Sequence, residues 1–315
     1  MHRVTRTDVE TARDRIGDRV RRTPVLAVEA GALAAVPVTL KLELLQHTGS
    51  FKVRGAMSAL LSRDQPLTAA GVVAASGGNH GLAVAWAARE LGTMATVYVP
   101  ETAPAAKVSG LRALGAHVRL VGTRYADAAA AAARHADETG AAAVHAYDDP
   151  AVVAGQGTTA LELLDDMPDV DTVLVAVGGG GLAGGIAAAL DGRARVVGVE
   201  PTGCPTWHAA RRAGEPVHVE VGGLAADSLG ASRLGDVGFA ALRQAGADAL
   251  LVDSADVVRT RELLWQRFRL AVEPGAAVAA AALISGAYVP GQAERVAVVV
   301  CGGNADPGDL GTVPR

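Results

Sequence analysis

The sequence predicts an α/β chain of two lobes, each a mostly parallel sheet flanked by helices. Three observations carry that expectation. Short apolar runs alternate with helix-length segments along most of the chain. Segment after segment closes at a glycine or a proline. The 315 residues, half hydrophobic and one-fifth charged, also suffice for two packed cores.

Taken in order, Thr7 to Arg22 mixes charges with Val9, Ile16 and Val20 and reads as an amphipathic docking helix that ends before Thr23-Pro24. Val38 to Glu43 reads as a strand entering a turn at Lys52, and Ser62 to Pro66 as a linker. Strict alternation follows. Val72 to Ala75, Ala95 to Val99, His117 to Val121 and Ala142 to Ala146 are predicted strands. Between them, Leu82 to Leu91, Lys107 to Leu114 and Tyr125 to Glu138 are predicted helices, closed by Gly92, Gly115 and Gly140. Asp149-Pro150 opens a helix to Leu164. Strands are expected at Thr172 to Val177, Arg195 to Val199, Leu250 to Val252 and Val296 to Val300, with Ser254 capping a helix to about Leu270. The predicted small domain is 68–146, inserted between 1–67 and 147–315 of a large one.

Composition removes several functions. A net charge of −4 and 3% aromatics give no basic, aromatic-rich face for nucleic acid. The charged N-terminus lacks the apolar core of a signal peptide, so a cytoplasmic location is expected. Cys204 and Cys301 are too few for a disulfide framework and are expected to be reduced. Thr172 to Leu190 is 19 uncharged residues long, but its six glycines oppose a membrane helix, each costing about 1 kcal/mol relative to alanine.

Three glycine-marked stretches carry the chemistry. In Thr48-Gly49-Ser50-Phe51-Lys52-Val53-Arg54-Gly55-Ala56, Lys52 opens a predicted helix, where the dipole and partial burial both disfavour an ammonium. A lysine so placed can act as a nucleophile toward carbonyl cofactors; otherwise it is a surface lysine at a helix start. Gly178-Gly179-Gly180-Gly181 leaves a strand and opens a helix, so its bare amides can hold a phosphate. Gly179, Gly181 and Gly184 also match G-x-G-x-x-G, with Glu200 placed 21 residues after Gly179 as a ribose acid would be. A dinucleotide-dependent oxidoreductase is therefore a rival reading, and plain helix–strand packing a third. Ser76-Gly77-Gly78-Asn79-His80-Gly81 makes a donor-rich cradle for a carboxylate or phenolate, or else Ser76 is an N-cap and His80 a satisfied polar residue. Val300-Cys301-Gly302-Gly303-Asn304 brings one thiol to a turn.

Together these stretches, with Gly155-Gln156-Gly157-Thr158, resemble the fold-type II pyridoxal-phosphate enzymes (tryptophan synthase beta-like), and most closely the serine and threonine dehydratases and serine racemase. The resemblance spans nearly the whole chain. It implies a pyridoxal 5′-phosphate enzyme that converts L-serine or L-threonine to a 2-oxo acid and ammonia, soluble and homodimeric. Racemisation, or β-replacement of the cysteine synthase kind, is the alternative, and a non-catalytic amino-acid-binding relative lies outside enzymes. It further implies that Lys52 holds the cofactor as an imine and moves the Cα proton, with Phe51 beside the ring. Asn79 would bond the 3′ oxygen, the Gly178, Gly179, Gly180 and Gly181 amides the phosphate, and Cys301 would face the pyridine nitrogen. Ser76, with the Asn79 and His80 amides, would take the substrate carboxylate. Two positions depart from the resemblance. Relatives hold a divalent cation through a glutamate, a backbone carbonyl and an aspartate; here those places are Glu200, Cys204 and Thr206, so no metal is expected. Ser228 stands where a glycine is usual near the substrate, which points to an altered side-chain preference. The chain also ends soon after Asn304, leaving no room for the regulatory domain of biosynthetic threonine dehydratases.

Overall fold

The computed structural model describes residues 3–306 and 308. Helix α1 (Arg6–Ile16) comes first, then β1 (Val25–Val28), β2 (Val38–Leu42), α2 (Lys52–Leu61), β3 (Val72–Ala75) and α3 (Asn79–Glu90). Next are β4 (Ala95–Val99), α4 (Ala105–Ala113), β5 (His117–Leu120), α5 (Tyr125–Thr139), β6 (Ala142–Ala143), α6 (Pro150–Asp166), β7 (Thr172–Ala176) and α7 (Gly181–Leu190). The chain continues through β8 (Arg195–Pro201), α8 (Thr206–Ala213), α9 (Ala226–Leu229), α10 (Asp236–Gln244), β9 (Asp248–Val252), α11 (Ser254–Phe268), α12 (Pro274–Ile284) and β10 (Val296–Val300).

Two sheets result. The six-stranded one has the order β1-β2-β10-β7-β8-β9, parallel except where β1 meets β2, and the four-stranded one runs β5-β4-β3-β6, all parallel. Because β2, β10 and β7 are neighbours, the turns leaving their carboxyl ends lie side by side. Those turns hold Lys52, Cys301 and Gly178, so the sheet order itself assembles a site, as parallel sheets do at their carboxyl edges.

The cores follow the sheets. Under the six-stranded sheet, Gly275–Leu283 of α12 is wholly buried, and six of those nine residues are alanine. The cluster under the four-stranded sheet also takes in Val53, Ala56, Met57 and Leu60 of α2, with Ile16 and Val20, so α2 packs into that core while β2, just before it, belongs to the other sheet. Its opposite face lies on α6: a methyl on Gly155 would come 2.6 Å from the Arg54 carbonyl oxygen, which only glycine avoids.

Some element bounds differ from expectation. The first helix stops at Ile16 instead of Arg22, because Gly17 turns the chain with φ 48 and Val20 is already extended. Helix α3 starts at Asn79, three residues early, which puts Asn79 and His80 in its first turn. Ser254 is the first residue of α11 and makes no capping bond. β6 keeps only two residues, since just these pair with β3. Among the described residues, no helix is long and apolar enough to cross a membrane, and both cysteines are free and buried.

Candidate active site

Lys52 is the first residue of α2. The turn before it is tied to the turn after β10: the Phe51 amide donates to the Cys301 carbonyl at 3.1 Å, Ser50 bridges Gly302, and the Gly303 amide donates to Gly49 at 2.8 Å. Lys52 Nζ lies 5.0 Å from the Phe51 ring centre and donates to the Ala146 carbonyl at 2.9 Å. Loss of solvation pushes the amine down to about 8, against a smaller upward pull from Cys301 and Glu273. The apoprotein is therefore expected to take up pyridoxal phosphate faster as pH rises through about 8, because only the neutral amine is nucleophilic. Stopped-flow absorbance checks this; a midpoint at the ordinary lysine value of 10.5 would show that burial does not govern Lys52.

The glycine loop after β7 leaves its donors free. Its carbonyls are engaged: Gly178 accepts from Thr206 Oγ1 at 2.6 Å, Gly179 from the Gly235 amide at 3.1 Å, and Gly180 from the Gly184 amide at 2.8 Å. Among the described residues, the amides of Gly178 to Gly181 meet no protein acceptor. Gly180 takes φ 85, and a methyl on Gly179 would lie 2.2 Å from the Tyr147 ring, so tight packing and exposed amides are achieved by the same glycines. Ala146 touches Lys52 and Tyr147 covers Gly179, which brings the lysine and the loop to one place.

The loop after β3 also comes near Lys52, whose charge acts on His80. Ser76 Oγ accepts from the Gly78 amide at 3.2 Å and does not cap α3, whose N-cap is Gly78. The amides of Gly77, Asn79 and His80 find no acceptor among the described residues. The His80 ring is a satisfied core group: Nε2 meets the Val144 carbonyl at 2.9 Å, and burial, then Lys52, push it down to about 3. A methyl on Gly77 would touch only Val99 at 3.5 Å and Ala103 at 4.0 Å, so there is space above it.

One site residue went unread in the sequence. Glu273, the N-cap of α12, is buried and accepts both bonds from Asn79 Nδ2, at 2.7 and 3.0 Å. Asn79 Oδ1 accepts from Asn304 at 2.7 Å. Burial raises the Glu273 carboxyl to about 7, and it lies against Gly302, where a methyl would come within 2.1 Å of Oε1. Burial and then Glu273 push the Cys301 thiol well above its ordinary value, so it stays protonated. The sequence did carry a signal: Glu273-Pro274 before an apolar run repeats the cap-then-proline pattern of Asp149-Pro150. Ser228 is drawn into the same corner, its Oγ accepting from the Gly275 amide at 3.1 Å.

The dinucleotide reading fails on Glu200. Its carboxylate is fully buried and already accepts from Thr206 Oγ1, the Trp207 amide and the His208 amide, at 2.9, 2.7 and 2.8 Å, so it has no face left for a ribose. What remains is a half-buried, readily neutral amine between two rows of free amides, a donor set that suits a phosphorylated aldehyde and a carboxylate.

Comparison with known proteins agrees. The family described as pyridoxal-phosphate dependent enzyme matches residues 16–302. An L-threonine ammonia-lyase of Geobacter sulfurreducens is 38% identical over 304 residues, covering 95% of this chain and 75% of that protein. An L-threonine ammonia-lyase of Thermotoga maritima is 36% identical over 309 residues, covering 96% and 76%. Maize serine racemase superposes with a TM-score of 0.92 at 31% identity, covering 98% of this chain and 95% of that one. The residues fit the cofactor and the matched span holds Lys52, the Ser76 loop, the glycine loop and Cys301: the chain belongs to the pyridoxal-phosphate dependent enzyme family.

Proposed function

We propose that this chain is a dehydratase that releases ammonia and a 2-oxo acid from a β-hydroxy L-amino acid, serine or threonine, and that the residues above divide the work. The observation that carries the reading is Lys52 at the start of α2, half-buried and facing two amide-lined loops. The two threonine ammonia-lyases among its relatives support the substrate class.

Bound pyridoxal phosphate supplies the electron sink that lets a proton leave the substrate's Cα. Lys52 moves that proton as general base. The Gly178 to Gly181 amides and the start of α7 hold the phosphate. The Ser76 hydroxyl with the Gly77, Asn79 and His80 amides holds the substrate carboxylate, while Phe51 packs beside the ring. By the resemblance Cys301 would be the residue at the pyridine nitrogen, and as a neutral thiol it would not keep that nitrogen protonated as a carboxylate would. Asn79 is assigned to the 3′ oxygen, and its Nδ2 then has to leave Glu273. Loss of water leaves an aminoacrylate that hydrolyses to the oxo acid. We assign residues 68–146 to the smaller unit and 1–67 with 147–315 to the larger, with α2 at the seam. The resemblance alone supports a cytoplasmic homodimer.

Oxo-acid release across L-serine, L-threonine and L-threo-3-hydroxyaspartate tests the reading, and release from none of them ends it. The same assay separates elimination from racemisation. Lys52 serves one face of Cα, and inversion needs a proton donor on the other. By the resemblance that donor stands at position 77, where this chain has glycine. The wild type is expected to form little D-serine beside pyruvate. The space above Gly77 accepts a serine, and a positioned acid contributes about 10²-fold or more, so Gly77→Ser is expected to raise the D-serine to pyruvate ratio by roughly tenfold. D-serine forming as fast as pyruvate in the wild type would show that Gly77 does not decide the outcome.

A further inference from the structure

The end of β8 lies next to β7 and the glycine loop, and there the structure has a closed polar clasp. Glu200 is surrounded by donors: Thr206 Oγ1 at 2.9 Å and the Trp207 and His208 amides at 2.7 and 2.8 Å, all from the first turn of α8. Thr206 Oγ1 also lies 2.6 Å from the Gly178 carbonyl, so one fully buried hydroxyl, its single proton shared between the two oxygens, joins the carboxylate to the root of the glycine loop.

A divalent cation does not fit these residues. It needs several oxygens with free lone pairs and negative charge to offset its own. Here the Glu200 carboxylate faces N–H groups and the positive end of a helix dipole. The Cys204 carbonyl accepts from the Thr206 amide at 3.1 Å, and the Gly178 carbonyl is taken by the threonine hydroxyl. Threonine adds no charge, and no group of three or more His, Cys, Asp or Glu able to hold a metal occurs among the described residues.

We propose that the Glu200–Thr206 clasp fixes the Gly178 carbonyl and thereby the loop, and that these residues do not take a divalent metal, so that the enzyme needs none. Thr206 is a positioning residue acting through Gly178. The link to cofactor binding rests on the assignment of the loop to the phosphate; the exclusion of the metal does not.

Thermal melting of the purified holoenzyme with excess magnesium, calcium or EDTA is the first test, and the midpoint is expected to move by less than ~1 °C, as for an ion without a native site. A midpoint raised by either cation and lowered again by EDTA overturns the proposal. Cofactor retention on dialysis, read from the visible absorbance of the protein fraction, is the second. Thr206→Val removes a buried hydroxyl and orphans its partners, so retention is expected to weaken on the order of tenfold, with Thr206→Ser restoring it. Gly179→Ala serves as the control, since it disturbs the loop directly. Weak retention in Gly179→Ala beside unchanged retention in Thr206→Val overturns the clasp alone, whereas unchanged retention in Gly179→Ala sinks the phosphate assignment.

Discussion

Lys52→Ala is expected to lower turnover by roughly 10³-fold or more while the protein stays folded. Both halves follow from the site. The side chain is the amine at the junction of the glycine loop, the Ser76 loop and the Cys301 turn, and the proposed reaction uses it as cofactor anchor and as base. Its neighbours do not replace it, because the His80 ring is fixed on Val144 and Cys301 is held protonated. Its structural contribution is small. Among the described residues Nζ makes a single hydrogen bond, to the Ala146 carbonyl, and the lowered pKa means that the fold disfavours its charge. Oxo-acid release and a melting curve on the same preparation check the two halves; retained turnover would remove Lys52 from the mechanism.

Arg54→Met should do the opposite, unfolding the protein before it alters the chemistry. Arg54 is fully buried two residues after Lys52. It donates to both oxygens of Glu43, each at 2.8 Å, to Glu162 at 2.7 and 2.9 Å, and to Thr158 at 3.1 Å. Lys41 Nζ completes the group on Glu162 at 2.7 Å and on the Thr23 carbonyl at 2.6 Å. Burial alone would lower the Arg54 pKa, but Glu43 and Glu162 raise it by more, and against the upward push of burial Arg54 and Lys41 hold the Glu162 carboxyl below its ordinary value. Removing the guanidinium strands two carboxylates beside one lysine, at an expected cost of about 3–5 kcal/mol. Urea unfolding measures it. A loss below ~1 kcal/mol would mean that the cluster relaxes or admits water.

Much of this was legible in the sequence where local rules decide. β3, β4 and β10 have the predicted bounds because each is a short, mostly apolar run with a glycine or proline within three residues of at least one end. The glycine loop and the Lys52 turn were readable for the same reason: their conformations demand particular residues in sequence. β1 was missed because it is a four-residue edge strand directly after Thr23-Pro24, a pair read only as the end of the first helix. α12 was missed because it is buried on all sides, so there is no polar face to give it a period. Glu273 escaped for a different reason. Its partner Asn79 lies 194 residues away, and only the tertiary fold brings the start of α3 to the start of α12. The clasp on Glu200 likewise depends on where α8 starts, and α8 was not foreseen. Glu200 read as an available acid because sequence shows a carboxylate but not the donors around it.

Helix α12 has one more consequence. An alanine gives up no rotamer freedom on burial, so ordering this rod at the centre of the large core costs little beyond its backbone. Its methyl groups leave little to delete, and the close contacts on every side leave nowhere to grow. Sequence drift along Ala276 to Ala282 is therefore asymmetric: a glycine costs about 1 kcal/mol of helix propensity, whereas adding branches forces the sheet and α11 apart.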